Sequence, residues 1–326
     1  MKARHLVLLL AGILAVSLAP APAAAQNEMP RTAWGAPDLQ GIWDFRTITP
    51  MERPEELGDQ AFLTEEEAAN LEQATVDRNA QLLAAEARRT EAGGNVGAYN
   101  NFWMDRGTRT VSNRRTSLIV DPPNGRIPAV TAGGQARKDA VAVRRGRPAF
   151  GPEDRSIGER CLLGFNAGPP MEPRAYNNHA QLFQTPDHIV ILNEMVNDSR
   201  IIPLDGRDRL PEDVTQWRGD SRARWEGDTL VVETRNFHTD TAFSERQGSS
   251  PDMLLTERFT RVDGETLLYA ATMDDPSTWT QPWTFEVTMF RTDEPVYEYA
   301  CHEGNIGMDG ILAGARADDA RAAQQQ

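Results

Sequence analysis

The sequence has very few lysines and no cluster of positive charge. Lys2 and Lys138 are its only lysines, so nearly all of its 34 basic residues are arginines, against 48 acidic residues and a net charge of −14. Such a surface repels the phosphates of nucleic acids and of anionic lipid headgroups. The composition therefore predicts no nucleic-acid partner.

Motifs typical of several enzyme classes are also missing. The sequence has no Gly-rich phosphate-binding loop and no HExxH, GxSxG or SxxK pattern. Ser221 lacks the strand–turn–helix setting of a hydrolase nucleophile, which argues against serine catalysis. We expect no metal site and no cofactor.

A long apolar run occurs only at the N-terminus, over residues 6–19. Lys2 and Arg4 precede it and small residues at 23–25 follow it. These are the three parts of a secretory signal, and the run is too short to span a membrane as a helix. Without residues 1–25 the chain has 32 basic and 48 acidic residues, a net charge of −16. We expect a mature protein that begins near Gln26, has no membrane span and is periplasmic or secreted.

Cysteine is scarce as well, with Cys161 and Cys301 as the two in the chain. In an exported protein a disulfide between them is the default expectation. Closing a loop of about 140 residues stabilises a fold by about 5 kcal/mol in the chain-entropy model. A reactive thiol is the alternative. A metal site with His302 lacks the CxxC spacing of such sites.

Short β-type runs separated by turn residues are abundant. The clearest is 221–237, which predicts a hairpin with Gly227 and Asp228 as its loop. In that register Trp225 and Leu230 share a core-facing side, and Arg222 faces Glu233 on the other side as a cross-strand ion pair.

Further strands are predicted along most of the chain. They cover residues 37–43, 116–121, 126–130, 181–185, 188–196, 199–204, 254–262, 265–273, 283–291 and 296–303. Tight turns join most of them to the next, which is typical of an antiparallel meander. We therefore predict a mainly β fold, a lipocalin-like barrel closed by the meander, with a β-sandwich as the alternative.

One peripheral helix interrupts this pattern. Thr64 and Glu67 form a capping-box signal, and the helical pattern continues through Arg89. Residues 131–173 are rich in Gly, Arg and Pro and are expected to be an irregular excursion. The predicted organisation is a signal peptide at 1–25, an N-terminal extension packed on the barrel at 26–115, a β domain at 116–310 and a disordered tail at 311–326.

Several sequence motifs together resemble a widespread family of uncharacterised secreted proteins from soil and aquatic Gram-negative bacteria. They are PDLQGIW at 37–43, RRTSLIVDPP at 114–123, GDSRARWEGDTLVV at 219–232, DDP at 274–276 and YACHEGN at 299–305. The resemblance covers nearly all of the mature chain. It implies export and a single domain, and it implies no particular activity.

Four titratable residues are candidates for catalysis. Polar and aromatic neighbours surround His179 and His302 in the sequence. Glu194 falls on the same predicted face as Val190 and Leu192, either at an exposed strand end or in an apolar cavity, where desolvation would raise the pKa of a carboxyl group. Asp105 belongs to an irregular aromatic and polar segment at 95–115. Candidate ligand-binding residues are Tyr99, Trp103, Arg106, Arg109, Asn177 and Asn178.

Three functions are compatible with these observations. The first is binding of a small apolar or aromatic molecule in a barrel cavity. The second is cofactor-free hydrolase, lyase or isomerase activity that uses a histidine–carboxylate pair. The third is an interaction module of the cell envelope. The expected partner is a small-molecule ligand or substrate, and the sequence leaves the oligomeric state open.

Overall fold

A computed structural model describes residues 29–85 and 104–325, and an antiparallel sheet of ten strands dominates it. The strands are β1 (Gly41–Asp44), β2 (Ile119–Asp121), β3 (His179–Gln184), β4 (His188–Asn193), β5 (Asp198–Pro203), β6 (Asp220–Glu226), β7 (Thr229–Arg235), β8 (Leu254–Arg261), β9 (Thr266–Asp274) and β10 (Trp283–Thr292). The helices are α1 (Glu65–Ala84), α2 (Ala132–Gly146), α3 (Ala242–Gln247) and α4 (Ile306–Gln324). The predicted signal peptide lies outside the described residues.

The sheet joins two meanders through the N-terminal strand. Its order is β5-β4-β3-β1-β10-β9-β8-β7-β6, and β2 pairs with one end of β10. Strand β1 therefore lies between β3 and β10 and pairs with both. The strand predicted around Trp43 is confirmed, and this part of the N-terminal extension belongs to the sheet itself.

The sheet curls without closing into a barrel. Strands β5 and β6 are its two ends and are not hydrogen-bonded to each other, although their Cα atoms approach within 8 Å. Arg200 of β5 reaches Glu257 of β8 with two hydrogen bonds of 2.5 and 2.9 Å, so these two strands face each other across the interior. The mainly β antiparallel fold is confirmed, whereas the predicted barrel closure is not. The described strands form one sheet and not the two sheets of a sandwich.

One hydrophobic core fills the concave side of the sheet. Burial alternates residue by residue along β8 and β9, which is the period of a strand with one face in a core. The largest fully buried side chains on the strands are Trp43, Trp283, Tyr269, Phe259 and Phe285. Each aromatic ring of this kind contributes about 1.5–3 kcal/mol through burial. Side chains thus occupy the space that an open barrel would offer to a ligand.

The β6–β7 hairpin has the predicted register. Glu226 pairs with Thr229, and Trp225 pairs with Leu230. The predicted ion pair between Arg222 and Glu233 is wrong, because Arg222 binds Asp220 of its own strand at 2.5 Å. The carboxylate of Glu233 instead binds Arg224 at 2.8 Å, which lies two residues beyond Arg222 on the neighbouring strand.

Four predicted segments differ from the structure. Residues 132–146 form α2 within the segment that is expected to be irregular. The sequence did not predict this helix, because only Gly134 of it is buried and no apolar stripe marks it. Residues 126–130 form no strand, and Val130 makes only an isolated bridge to Trp279. Residues 296–303 form no strand either, because β10 pairs with β9, β1 and β2. The tail predicted as disordered is helical over Ile306–Gln324.

The cap of α1 and the disulfide are as predicted. Thr64 accepts a hydrogen bond from the backbone N–H of Glu67, whose carboxylate accepts one from the N–H of Thr64. The predicted end of this helix, at Arg89, lies outside the described residues. Cys161 and Cys301 form a disulfide across 140 residues. Within residues 29–85 and 104–325, no helix combines the length and apolarity that crossing a membrane requires.

Candidate functional site

Two of the predicted catalytic residues meet where strands β3 and β4 end. His179 is the first residue of β3, Glu194 follows the last residue of β4, and the N–H of Glu194 donates to the carbonyl of His179 at 3.0 Å. The side chains meet as well, with Nδ1 of His179 3.0 Å from Oε2 of Glu194. Both side chains are more than nine-tenths buried.

Glu194 is buried for a different reason from the one predicted. Strand β4 ends at Asn193, three residues before the predicted end at residue 196, and the turn comprises residues 194–197. The core face of β4 carries Ile189 and Ile191, while Val190 and Leu192 lie on the less buried face. Glu194 is enclosed by the segment that follows β10, where the N–H of Tyr297 donates to its Oε1 at 3.4 Å.

Charged groups from three other segments complete what we call the acid–base cluster. Its members are Asp44, Arg46, Asp105, His179, Glu194 and Glu294. Asp44 lies directly opposite His179 in the β1–β3 pair. Arg46 binds Asp44 at 2.7 Å, Asp105, and Glu294 at 3.6 Å. The exposed Glu294 carboxylate lies 3.5 Å from Nε2 of His179.

The cluster favours a protonated His179. Burial lowers the pKa of this imidazole, but the hydrogen bond to Glu194 and the charges of Asp44 and Glu194 outweigh burial and raise the pKa above its usual value. Burial likewise acts against the charge of Arg46, and Asp44 and Asp105 nevertheless raise its pKa. Among the described residues, none accepts or donates a normal hydrogen bond at the buried Nε2 of His179. That nitrogen is the part of the cluster with unused bonding capacity.

Asn178 attaches the segment of Asp105 to the sheet. Its amide donates to the carbonyls of Asp105 at 3.1 Å and Arg174 at 3.0 Å, and its Oδ1 accepts from Asn166 and from the N–H of Arg174. The predicted ligand-binding residue Asn178 is therefore buried and occupied by these bonds. Its neighbour Asn177 takes the left-handed conformation, with φ 54°, at the bend that leads into β3.

The two predicted arginines of this segment lie in different clefts. Arg109 lies with Asp44 and Asp105 along a cleft of about 340 Å³ and stacks over Phe290 at 5.9 Å. Arg106 faces a separate cavity of about 520 Å³.

The cavity that contains Arg106 adjoins a second one of about 390 Å³, and we call the pair the groove. The two share Phe165, Tyr176 and Arg246, and the rings of Phe165 and Tyr176 meet edge to face at 5.2 Å. Apolar residues that line the smaller cavity include Ile157, Leu163, Met195, Val196 and Tyr299. The larger cavity is completed by Thr47, Arg106, Pro173, Arg174 and Ala175.

Backbone strain is concentrated beside the groove. Val196 has φ 54° and ψ 22°, a left-handed conformation that is unusual for a β-branched residue. Cys161, whose disulfide partner Cys301 lines the smaller cavity, has φ 57°. Residues in such regions cost about 1–3 kcal/mol each and tend to occur at functional sites. The strained residue Val196 therefore lies in the wall of the groove, two residues after Glu194 in the sequence.

The remaining predicted site residues are not brought together. His302 is exposed beside the disulfide, and in the described part of the chain it makes no contact with His179 or Glu194. Tyr99 and Trp103 lie outside the described residues.

Sequence reasoning missed half of the acid–base cluster and most of the groove. Asp44 is the last residue of the strand of Trp43, and Arg46 lies two residues beyond it. This proximity to a strong strand signal is the clue that could have identified them. Phe165, Arg174 and Arg246 come from irregular segments and a one-turn helix, where no periodicity singles them out.

Comparison with known proteins adds little to this description. No family model matches the chain, and no curated protein matches it. Among solved structures, it is similar to a secretary abundant heat soluble (SAHS) protein from Ramazzottius varieornatus, with 9% sequence identity over 35% of this chain and 70% of that chain. The TM-score is 0.23, so this likeness carries no argument about fold or function. The resemblance to the bacterial family stays a prediction.

Proposed function

We propose that the protein is an exported binding protein for a small apolar or aromatic molecule, and that the groove is its binding site. The edge-to-face pair of Phe165 and Tyr176, which lines both cavities, carries this proposal. Ligand sites are concave, largely apolar clefts of about 300–1,000 Å³ with a few convergent polar groups. The groove fits that description, whereas side chains fill the concave side of the sheet.

Two observations support a location outside the cytoplasm. The N-terminal residues have the pattern of a secretory signal. The disulfide between Cys161 and Cys301 is typical of proteins from oxidising compartments. We therefore place the binding function in the periplasm or the extracellular medium.

Calorimetric titration with aromatic molecules of increasing size tests the binding function. Phe165→Ala and Tyr176→Ala should each weaken binding about tenfold or more, because aromatic contacts dominate the energetics of such sites. Phe62→Ala is the matched control, since Phe62 is exposed and lines none of the cavities described above. Equal affinities in all three variants would place the site elsewhere, and an absence of binding at about 1 mM would reject a binding function of this kind.

A second candidate function is acid–base catalysis by His179. The 3.0 Å hydrogen bond from Nδ1 of His179 to the carboxylate of Glu194 orients the imidazole. Nε2 is then the nitrogen that would exchange a proton with a substrate. The carboxylate of Glu294 lies against Nε2, so a substrate would have to displace it. Esters, glycosides and aromatic lactones are the substrates to screen. Turnover that Glu194→Gln leaves unchanged would remove the pair from the mechanism.

A further inference from the structure

We propose that the groove selects organic anions, with an oxyanion headgroup at Arg106, Arg174 and Arg246 and an apolar or aromatic body that extends past Phe165 and Tyr176. This inference rests on the proposed binding function and specifies its ligand class.

The charges that line the larger cavity are all positive. Arg106, Arg174 and Arg246 line it, and none of the described residues of its lining is acidic. This is unusual in a chain with 34 basic and 48 acidic residues. A cavity with one sign of charge and walls of low polarity concentrates ligands of the opposite charge.

A buried carboxylate forms ion pairs with two of these arginines and neutralises only part of their charge. Glu172 is almost completely buried, and its Oε2 accepts hydrogen bonds from Arg246 and, at 2.7 Å, from Arg174. Burial lowers the pKa of Arg246, the charge of Glu172 raises it, the charge of Arg174 lowers it, and the charge of Glu245 raises it. Arg174 and Arg246 share Glu172 as their ion-pair partner, and the exposed Arg106 adds a third positive group.

The rest of the groove determines the chemistry of the part of the ligand that carries the anionic headgroup. The lining of the smaller cavity includes the charged residues Glu159, Arg145 and Glu245, of which the last two form an ion pair. This cavity shares Arg246 and the rings of Phe165 and Tyr176 with the larger one, and it adds apolar side chains such as Met195 and Val196. Inorganic anions would leave this surface uncovered. Guanidinium groups bind carboxylates and phosphates in the same two-pronged geometry, so the headgroup chemistry is that of a planar or tetrahedral oxyanion.

Matched pairs of acids and amides test the selectivity by calorimetry. The probes are phenylalkanoates of two to five chain carbons and the corresponding neutral amides, with phenyl phosphate and inorganic phosphate as further arms. We expect the best acid to bind about tenfold or more tightly than its amide, which corresponds to one charge-assisted hydrogen bond. Equal affinity of acid and amide would overturn the anion selectivity and leave the binding function intact. If neither series binds, both proposals fail. Inorganic phosphate that binds as tightly as the organic anions would reject the role of the apolar body.

Two variants of opposite expected sign distinguish recognition from structural damage. Arg106→Gln, at an exposed position, should reduce affinity for the acid about threefold to tenfold and leave the amide unchanged. Glu172→Gln removes the internal counter-charge and should increase affinity for the acid. A variant that merely disturbed the fold would weaken binding of acid and amide alike. Arg126→Gln is the control, because Arg126 is a half-buried arginine that lines none of the cavities described above. Weaker acid binding in Glu172→Gln, or an unchanged acid affinity in Arg106→Gln, would overturn the proposal.

Discussion

Two groups of charged side chains differ in their burial and in how completely their hydrogen-bonding groups are paired. Inside the sheet, both oxygens of Glu257 bind Arg200, and the hydroxyl of Tyr269 donates to Glu257 at 2.9 Å while it accepts from the N–H of Met171 at 3.0 Å. Burial and the charge of Glu257 raise the pKa of Tyr269 well above its usual value, so the hydroxyl stays a donor. We call these residues the interior network.

The acid–base cluster has the opposite character. Four carboxylates share Arg46 and His179, and two of them, Asp105 and Glu294, are exposed. Nε2 of His179 has no normal hydrogen-bond partner among the described residues. A buried network in which every group is paired stabilises one conformation. An unpaired ring nitrogen, such as Nε2 of His179, with an exposed carboxylate beside it is typical of a site that exchanges a proton or binds a ligand. We therefore infer a structural role for the interior network, and the acid–base cluster stays the second candidate site beside the groove.

Loss of the disulfide should have the largest effect on stability, and it should loosen the acid–base cluster more than the interior network. The bond closes a loop of 140 residues, so its loss should lower the free energy of unfolding by about 5 kcal/mol in the chain-entropy model. Cys301 anchors the segment of Glu294 and Tyr297, which touches the cluster and not the interior network. Urea unfolding of Cys161→Ser/Cys301→Ser measures the first effect. Hydrogen exchange should show faster opening around His179 than along β8.

Arg200→Met should be nearly as damaging, because it leaves the carboxylate of Glu257 buried and unpaired. We expect a loss of about 3–5 kcal/mol in the free energy of unfolding, measured in urea. The double variant Arg200→Met/Glu257→Leu should recover most of that loss, since apolar residues can replace a buried pair. A double variant as unstable as the single one would show that the unpaired charge of Glu257 is not the cause of the loss, and that the polar side chains themselves stabilise the fold.

Sequence reasoning succeeded where the determinants are local. The β6–β7 register follows from the Gly227-Asp228 turn and the two-residue period of a strand, and a register shift by one would turn Leu230 away from the core. His179 and Glu194 flank one short hairpin, so their convergence could also be predicted.

Non-local pairings could not be predicted in the same way. Strand β1 pairs with β3 and β10, which lie more than 100 residues after it and about 100 residues from each other in the sequence. No local signal specifies such distant partners. Asp44 and Glu294 reach His179 only through this arrangement. Helix α2 was missed because an exposed helix has no apolar stripe to reveal it.

His179→Gln should destabilise the protein in a pH-dependent way. The pKa of His179 is raised in the folded state. The stabilisation that its charged form provides is therefore fully present below the pKa of a histidine in the unfolded chain, about 6.5, and is lost as the pH rises through the folded-state pKa. The difference in unfolding free energy between wild type and variant should therefore be larger at about pH 5.5 than at about pH 9. The double variant Arg200→Met/Glu257→Leu is the control, because it leaves neither the buried Glu257 carboxylate nor its charge partner to titrate in this range. A difference that is constant with pH would show that His179 is not preferentially protonated in the folded state.

Glu294→Gln should have the smallest effect on stability and the most specific effect on the cluster. The Glu294 side chain is 60% exposed, and its ion pairs with Arg46 and His179 are long, at 3.6 and 3.5 Å. Exposed pairs contribute little, so the free energy of unfolding should change by less than about 0.5 kcal/mol. Removal of a negative charge beside Nε2 should nevertheless lower the pKa of His179, because a nearby carboxylate favours the imidazolium form. NMR titration of the His179 ring measures this, with Glu298→Gln as the control for an exposed glutamate on the same segment that makes no contact with His179 among the described residues. An unchanged pKa in Glu294→Gln would mean that solvent screens Glu294 from the imidazole, and His179 would then respond to Asp44 and Glu194 alone.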